Sequence, residues 1–243
     1  MKIKSPVSLI ALYFALTIGA QAQVMVGAKV GANINQFNQP GSVFGFTGGA
    51  FVKYRVMDFV GVRAELLYNQ QGGARQDYTR DYSQLGGNVN SVYYTNRFVN
   101  LHNLEVPVLV ELSHPSFSDD IISPRLVLGV GYGFNLGAME THEKTYFFND
   151  GATSQIMISD ERENVSANYK QHMWGFIAGF AIDMQAGEHT CTLEVRYRRA
   201  LNQVNNFRFG VPPQDGLPGT IGQEGDLYPS TLSINFGMTI FNF

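Results

Sequence analysis

The chain has 243 residues, a formal net charge of −3 and only 15% charged residues, against about 25% in ordinary soluble domains. That balance excludes a basic nucleic-acid-binding surface, and the single cysteine, Cys191, excludes an intramolecular disulfide. Twenty-six glycines and 13% aromatic residues favour strands and tight turns over helical packing.

The first element is a leader. Lys2 and Lys4 precede an apolar run from Val7 to Ala20, followed by Ala20-Gln21-Ala22. A basic start, a short apolar stretch and a small-x-small site predict a cleaved secretory signal peptide over residues 1–22. A single mature domain is expected over residues 23–243, working outside the cytoplasm. No cysteine follows the cleavage site to carry a lipid. No later apolar run reaches the roughly 18 residues that a membrane helix requires.

From Gln23 onward the hydrophobic period is two, the signature of strands with unlike faces. Val26, Ala28, Val30 and Ile34 share a face, opposite Lys29 and Asn33. Phe44, Phe46, Val52 and Tyr54 oppose Thr47, Lys53 and Arg55. In the third stretch Val60, Val62, Leu66 and Tyr68 oppose Arg63 and Glu65. Leu104, Val106, Val108 and Val110 oppose Glu105 and Glu111, while Leu126, Leu128, Val130 and Tyr132 oppose Arg125. Trp174, Phe176 and Phe180 oppose Asp183; Leu193, Val195 and Tyr197 oppose Glu194, Arg196 and Arg198; Leu232, Ile234 and Phe236 oppose Ser233 and Asn235. These are about eight strands of roughly ten residues, the number and length of a small transmembrane barrel. Connections near Met57-Asp58, His114–Ile121 and Gln185–Glu188 are short. Those at Gly72–Phe98, Glu140–Asn168 and Gln203–Tyr228 are long and polar, with Gln36–Ser42 intermediate. The long ones all fall at one end. The expected fold is an all-β, eight-stranded antiparallel up-and-down transmembrane β-barrel with short periplasmic turns and long extracellular loops.

The charges choose the faces. An arginine held toward lipid at mid-membrane costs about 2–4 kcal/mol, and several such costs exceed the typical stability of a domain, about 5–15 kcal/mol. The apolar face must therefore be the coat. Lys29, Lys53, Arg55, Arg63, Glu65, Glu105, Glu111, Arg125, Asp183, Glu194, Arg196 and Arg198 are expected to form a lumen charge network, because ions removed from water need partners. Such charges serve either as an ion path or as a plug. An eight-stranded interior, just wide enough for side chains, favours the plug. Tyr68, Trp174 and Tyr197 toward the outer strand ends and Tyr54 toward an inner end are expected to sit at the lipid interfaces. Pro107 lacks a ladder donor and predicts a bulge or local break.

Several phrases, in their order and spacing, carry a resemblance: "VGAKVGANINQF", "AELLYNQQGG", "LHNLEVPVLVEL", "LVLGVGYGFNLG" and "LEVRYRRALNQV". Together they resemble the PorT-like outer-membrane β-barrel family over essentially the whole mature chain. The resemblance implies a small outer-membrane barrel and little about activity; the family's name-giving member is associated with protein secretion across the outer membrane. The chain departs from the pattern at His102-Asn103 and Arg198-Arg199. It ends in Phe243, a residue suited to the barrel-insertion machinery, but Phe241 and Phe243 are out of phase with Leu232–Ile240, which calls for a bulge near the end.

Chemistry is sparse. His102 would need a serine and an orienting acid to serve as a base, and Ser91, nearby in sequence, lies in an expected loop. His and Cys spacings do not suggest zinc. The glycines of "GVGYGFNLG" lie in a strand with no lysine following, which speaks against a phosphate loop. Asp77, Asp81, Asp119 and Asp120 offer a cation only an unspaced ligand set. No enzyme activity, cofactor, metal or nucleic-acid partner is expected. The expected partners are outer-membrane lipid and lipopolysaccharide, the insertion machinery during biogenesis, and a protein at the Tyr-, Asn- and Gly-rich outer loops. The expected role is scaffold or surface binder. The alternatives are a secretion accessory, a lipid-modifying enzyme and a narrow pore for small solutes.

Overall fold

Alternating sequences bury one face only when the sheet curls on itself, and this sheet does. The computed structural model describes residues 23–57, 59–82, 89–113, 122–148, 156–187, 189–206 and 225–243. The expected signal peptide, residues 1–22, lies outside the described residues, as do His114, Asp119 and Asp120. Ten strands follow in order: β1 (Gln23–Gln36), β2 (Ser42–Met57), β3 (Val60–Ala74), β4 (Tyr78–Asp81), β5 (Val89–Ser113), β6 (Ile122–Phe148), β7 (Ile156–Asn164), β8 (His172–Ala186), β9 (His189–Ala200) and β10 (Ser230–Asn242).

Eight of them form a ring. β5, β3, β2, β1, β10, β9, β8 and β6 are neighbours in that order, and β5 pairs back onto β6. Every pairing is antiparallel. Closure joins the two ends of the chain: β1 runs against β10 from Met25↔Asn242 to Gln36↔Ser230. No described helix is long and apolar enough to cross a membrane; the strands do the spanning, since a closed sheet leaves no unpaired backbone edge toward lipid.

The long-connection end differs from the expectation. The stretches Gly72–Phe98 and Glu140–Asn168 are not simply loops. β5 and β6 continue past the ring, β4 pairs on the outer side of β5 at Tyr78↔Tyr94, and β7 pairs on β6 at Thr145↔Met157. A four-stranded extension therefore stands above the barrel. The β-branched and aromatic residues of "SVYYTNRFV" in β5 and "KTYFF" in β6 supply its strand preference.

Irregularities at three places bear on the expected alternation. In β6, His102 pairs with Gly137 and Asn103 with Asn135, so Leu136 is the extra residue of a bulge. Beyond it the buried parity changes from odd to even, with Ala138, Glu140 and His142 turned inward. At the closure, Val26 pairs with Phe241 and Gly27 with Thr239, leaving Ile240 unmatched. That shift turns Phe241 and Phe243 to the exposed face, their ring centroids 6.2 Å apart. At Pro107 the β3–β5 ladder lapses between Ala64↔Val108 and Leu67↔Glu105, with the register kept.

Burial is inverted relative to a water-soluble domain. Val30 is 61% exposed and Ile234 59%, while Glu194 is 1% and Arg63 3% exposed. Apolar side chains are buried chiefly in two places. Phe37, Val99, Leu101, Tyr169, Met173 and Leu227 cluster, with three smaller residues, at the long-connection end. Leu109, Val127, Ile177 and Ala181 line one stretch of inner wall.

Candidate functional site

The interior is built around carboxylates shared by several cations. Successive inward positions of neighbouring strands face across a lumen only a few side chains wide, so long basic residues on one wall reach acids on the other. Glu65 on β3 meets Lys29 Nζ at 3.1 Å, Arg63 Nε at 2.9 Å and both terminal nitrogens of Arg196, at 2.8 and 2.9 Å. Glu194 on β9 takes the same three cations: Lys29 at 3.0 Å, Arg196 Nε at 2.5 Å, and Arg63. Glu111 on β5 accepts from Arg125 at 2.6 Å and lies 2.7 Å from Lys53 Nζ and 2.8 Å from Arg63 Nη1. Arg125 also pairs with Asp183, which accepts from the Thr192 hydroxyl at 2.7 Å. Toward the long-connection end, Arg198 Nε lies 2.5 Å from Glu105, whose other oxygen accepts from Asn69 at 2.7 Å, and Arg198 donates to Gln71 at 3.0 Å.

The structure thus brings together eleven of the residues that the alternation places on one face. Arg55 is the exception. It shares the face but sits where β2 leaves the ring, and it is exposed. Asp183 is only partly covered, near the same mouth. Glycines make the space for the longest pairs. A Cβ on Gly131 would lie 2.7 Å from Glu105 Oε1, and one on Gly175 would lie 2.9 Å from Arg198 Cζ. What remains open among Asn33, Asn69, Glu105, Arg196 and Arg198 is a cavity of about 20 Å³, room for about one water. The apolar cluster of Phe37, Leu101 and Met173 closes the lumen above it.

A second charged cluster lies outside the ring, in the extension. Glu140 accepts from Arg75 at 2.7 Å and from Arg97 at 2.6 Å. Arg97 also donates to the Gln76 carbonyl at 2.6 Å and covers the Tyr78 ring at 4.4 Å. Tyr78 stacks on Tyr94 with centroids 4.4 Å apart, and Tyr94 contacts the buried His142. Burial pushes the Tyr78 hydroxyl up to about 12 and the His142 imidazole below its ordinary range. Burial also works to raise the Glu140 carboxyl, but Arg75 and Arg97 hold it below the usual value. Reading this region as loop hid the cluster. The signal available was the alternation of Val92, Tyr94 and the residues beyond, interrupted by register shifts between Thr95 and Phe98 and at Leu136.

The four aromatics singled out by position all point away from the lumen. Trp174 is 53% and Tyr197 42% exposed; Tyr68 and Tyr54 are half-buried. Tyr68 shares a 2.5 Å hydrogen bond with His102, and Tyr132 shares one of the same length with His172. His102 therefore has an aromatic partner on the adjoining strand. Ser91 is not its neighbour: it lies in β5 opposite Phe147, roughly 35 Å along the same strand at about 3.3 Å per residue. Among the described residues, no three His, Cys, Asp or Glu side chains are grouped to hold a metal ion.

A closed ring of eight antiparallel strands, apolar outside and ionic within, defines a small outer-membrane barrel. Residues 19–206 match the model of the outer membrane protein beta-barrel domain, and the chain belongs to that family, placing it in the bacterial outer membrane. Among solved structures, the chain is similar to Neisserial surface protein A, with 12% identity, 90% of this chain and 99% of that one covered, and a TM-score of 0.44. It is similar to OprG of Pseudomonas aeruginosa, with 12% identity, coverage of 91% and 95%, and a TM-score of 0.44. It is also similar to two structures of Ail, the attachment invasion locus protein of Yersinia pestis, with 9% and 10% identity, coverage of 90% and 99%, and TM-scores of 0.37 and 0.38. No curated protein matches the sequence.

Proposed function

We propose that the protein is a non-enzymatic outer-membrane scaffold whose lumen is a plug and whose outer extension binds a partner at the cell surface. The observation that carries this reading is the filled interior. Six cations (Lys29, Lys53, Arg63, Arg125, Arg196, Arg198) and five acids (Glu65, Glu105, Glu111, Asp183, Glu194) pair within it, and the cavity beside Glu105, Arg196 and Arg198 admits about one water. An ion path needs mobile water and exchangeable ligands. Here each carboxylate is engaged, and an apolar cluster overlies the column. With transport set aside, the extension of β4 to β7 is the part that projects toward a partner. The PorT-like resemblance belongs to this proposal. It favours work with other envelope proteins, without assigning the secretion role itself. Lipid, lipopolysaccharide and the insertion machinery complete the proposed set of partners, with Tyr54, Tyr68, Trp174 and Tyr197 as interface anchors.

Planar-bilayer recording tests the central claim. The purified barrel is expected to give no stepwise current at either polarity. Discrete, reproducible openings would overturn the plug and favour the narrow-pore alternative.

A further inference from the structure

Across the membrane band of the ring, the outward positions of the described residues are almost wholly apolar or aromatic, with histidines at the ends. One ionised side chain stands out. Arg199, on β9, is exposed on the lipid-facing wall, opposite Phe176 of β8 and Ser230 of β10. The strand's alternation puts Arg198 inside, with Glu105 and Gln71, and Arg199 outside. Arg199 has no ion-pair or hydrogen-bond partner among the described residues. It lines a concavity of about 450 Å³ together with Phe176, Tyr197, Leu201 and Tyr228.

Its height matters. The backbone of Leu201, two residues on, bonds to the Trp174 carbonyl, so Arg199 sits just within the outer aromatic girdle. An arginine on the lipid face costs about 2–4 kcal/mol at the midplane and about 0–1 kcal/mol near the interface. At this level an arginine keeps its stem against apolar surface and its guanidinium among the headgroups. A planar guanidinium matches two phosphate oxygens at once, and Phe176 beside it and Tyr197 below it offer acyl chains a wall. We propose that Arg199 and the surrounding concavity hold the phosphate of one anionic outer-leaflet lipid. This site is independent of the plug and of the extension.

The test is lipid retention in native mass spectrometry. The full-length mature protein is taken from neutral-detergent micelles doped with equal dioleoylphosphatidylglycerol and dioleoylphosphatidylcholine, which share a phosphate but differ in net charge. Wild type is expected to retain one phosphatidylglycerol in preference by about tenfold, the ratio that about 1.4 kcal/mol confers. Arg199→Gln is expected to bring the ratio near one, and Arg199→Lys to keep part of it. Arg162→Gln, in the extension, should keep all of it. Heat-shifted gel migration checks that each variant is folded. Equal retention by wild type overturns the site, as does a preference that survives Arg199→Gln. Displacement of the lipid by excess inorganic phosphate, but not by chloride of equal ionic strength, would assign the position to a free anion instead. A lipid-free dimer lost in Arg199→Gln would assign it to a second copy of the chain. Either result overturns the lipid proposal.

Discussion

Glu65 accepts hydrogen bonds from Lys29 and Arg196 and lies 2.9 Å from Arg63, so neutralising it leaves three buried cations around Glu194, of which Arg63 also meets Glu111. Breaking a buried pair by removing one partner typically costs about 3–5 kcal/mol. Glu65→Gln is expected to lose about that much, read as an earlier collapse of the heat-resistant gel form in detergent. Glu105→Ala, which strands Arg198, should fall in the same direction. Arg162→Ala, at an exposed position of β7, should stay within about 0.5 kcal/mol of wild type. Equal losses in all three would remove the interior pairs as a source of stability. In the extension, His142 is the titrating group. Burial holds its pKa below 6.5, against the pull of Glu140, Glu161 and Glu163 and with the push of Lys144. Above about 6.5 the imidazole is neutral in both folded and opened forms and contributes no pH slope. As pH falls below that value the opened form takes the proton first, so the extension weakens. Amide-exchange protection across Glu140–Lys144 should therefore drop between pH 6.5 and the onset of carboxylate titration near 4.5. His142→Gln should abolish that slope. At this scale the alternation of charged and apolar residues was enough to read Arg63, Glu65 and Arg196 as sharing a face. Glu140 and His142 were not readable, because the bulge at Leu136 moves them onto the inward face and no local residue preference announces it.

Strands approach one another unevenly around the ring, and the glycines mark where. A Cβ on Gly48 would meet its nearest atoms at 3.7 and 3.8 Å, an ordinary contact; a Cβ on the next residue, Gly49, would run into the Leu66 carbonyl of β3. A flexible side chain can move aside, but a paired backbone cannot. Gly48→Ala is expected to be nearly neutral. Gly49→Ala is expected to cost about 1–3 kcal/mol, the usual range for overpacking, and to lower the yield of folded barrel in a detergent refolding assay. Indistinguishable variants would mean that β2 and β3 separate freely. Elements of this kind were partly readable. The period of two outlines all eight ring strands because each has one face in lipid, the condition under which parity is informative. It gave no notice of β4 and β7. Those strands lie beyond the membrane band, where no face must be uniformly apolar, and β4 has only four residues in which to display a period.

The ring is complete only when the last strand arrives. β10 bonds to β9 from Ser230↔Arg199 to Met238↔Cys191 and to β1 along its whole length, and Phe243 exchanges backbone hydrogen bonds with Val24. The interior depends on the same strand: Thr231 donates to Asn35 at 2.8 Å, and Ser233 and Asn235 line the central cavity beside Arg196. Without β10, both β1 and β9 would present open edges to hydrocarbon, where each unsatisfied backbone group costs several kcal/mol, and the ion pairs of Lys29, Glu65 and Glu194 would lose one wall of their enclosure. These losses fall together, so closure should be all-or-none. Ending the chain before Ser230 is therefore expected to abolish the heat-shifted form entirely and leave an aggregated, protease-sensitive product. Ending it after Ile240 removes only Phe241, Asn242 and Phe243, beyond the bulge, and should leave a barrel that closes with reduced stability. A chain that ends before Ser230 and still migrates as a compact, heat-modifiable species would show that the remaining seven ring strands can seal themselves, and that the ionic interior does not need the eighth.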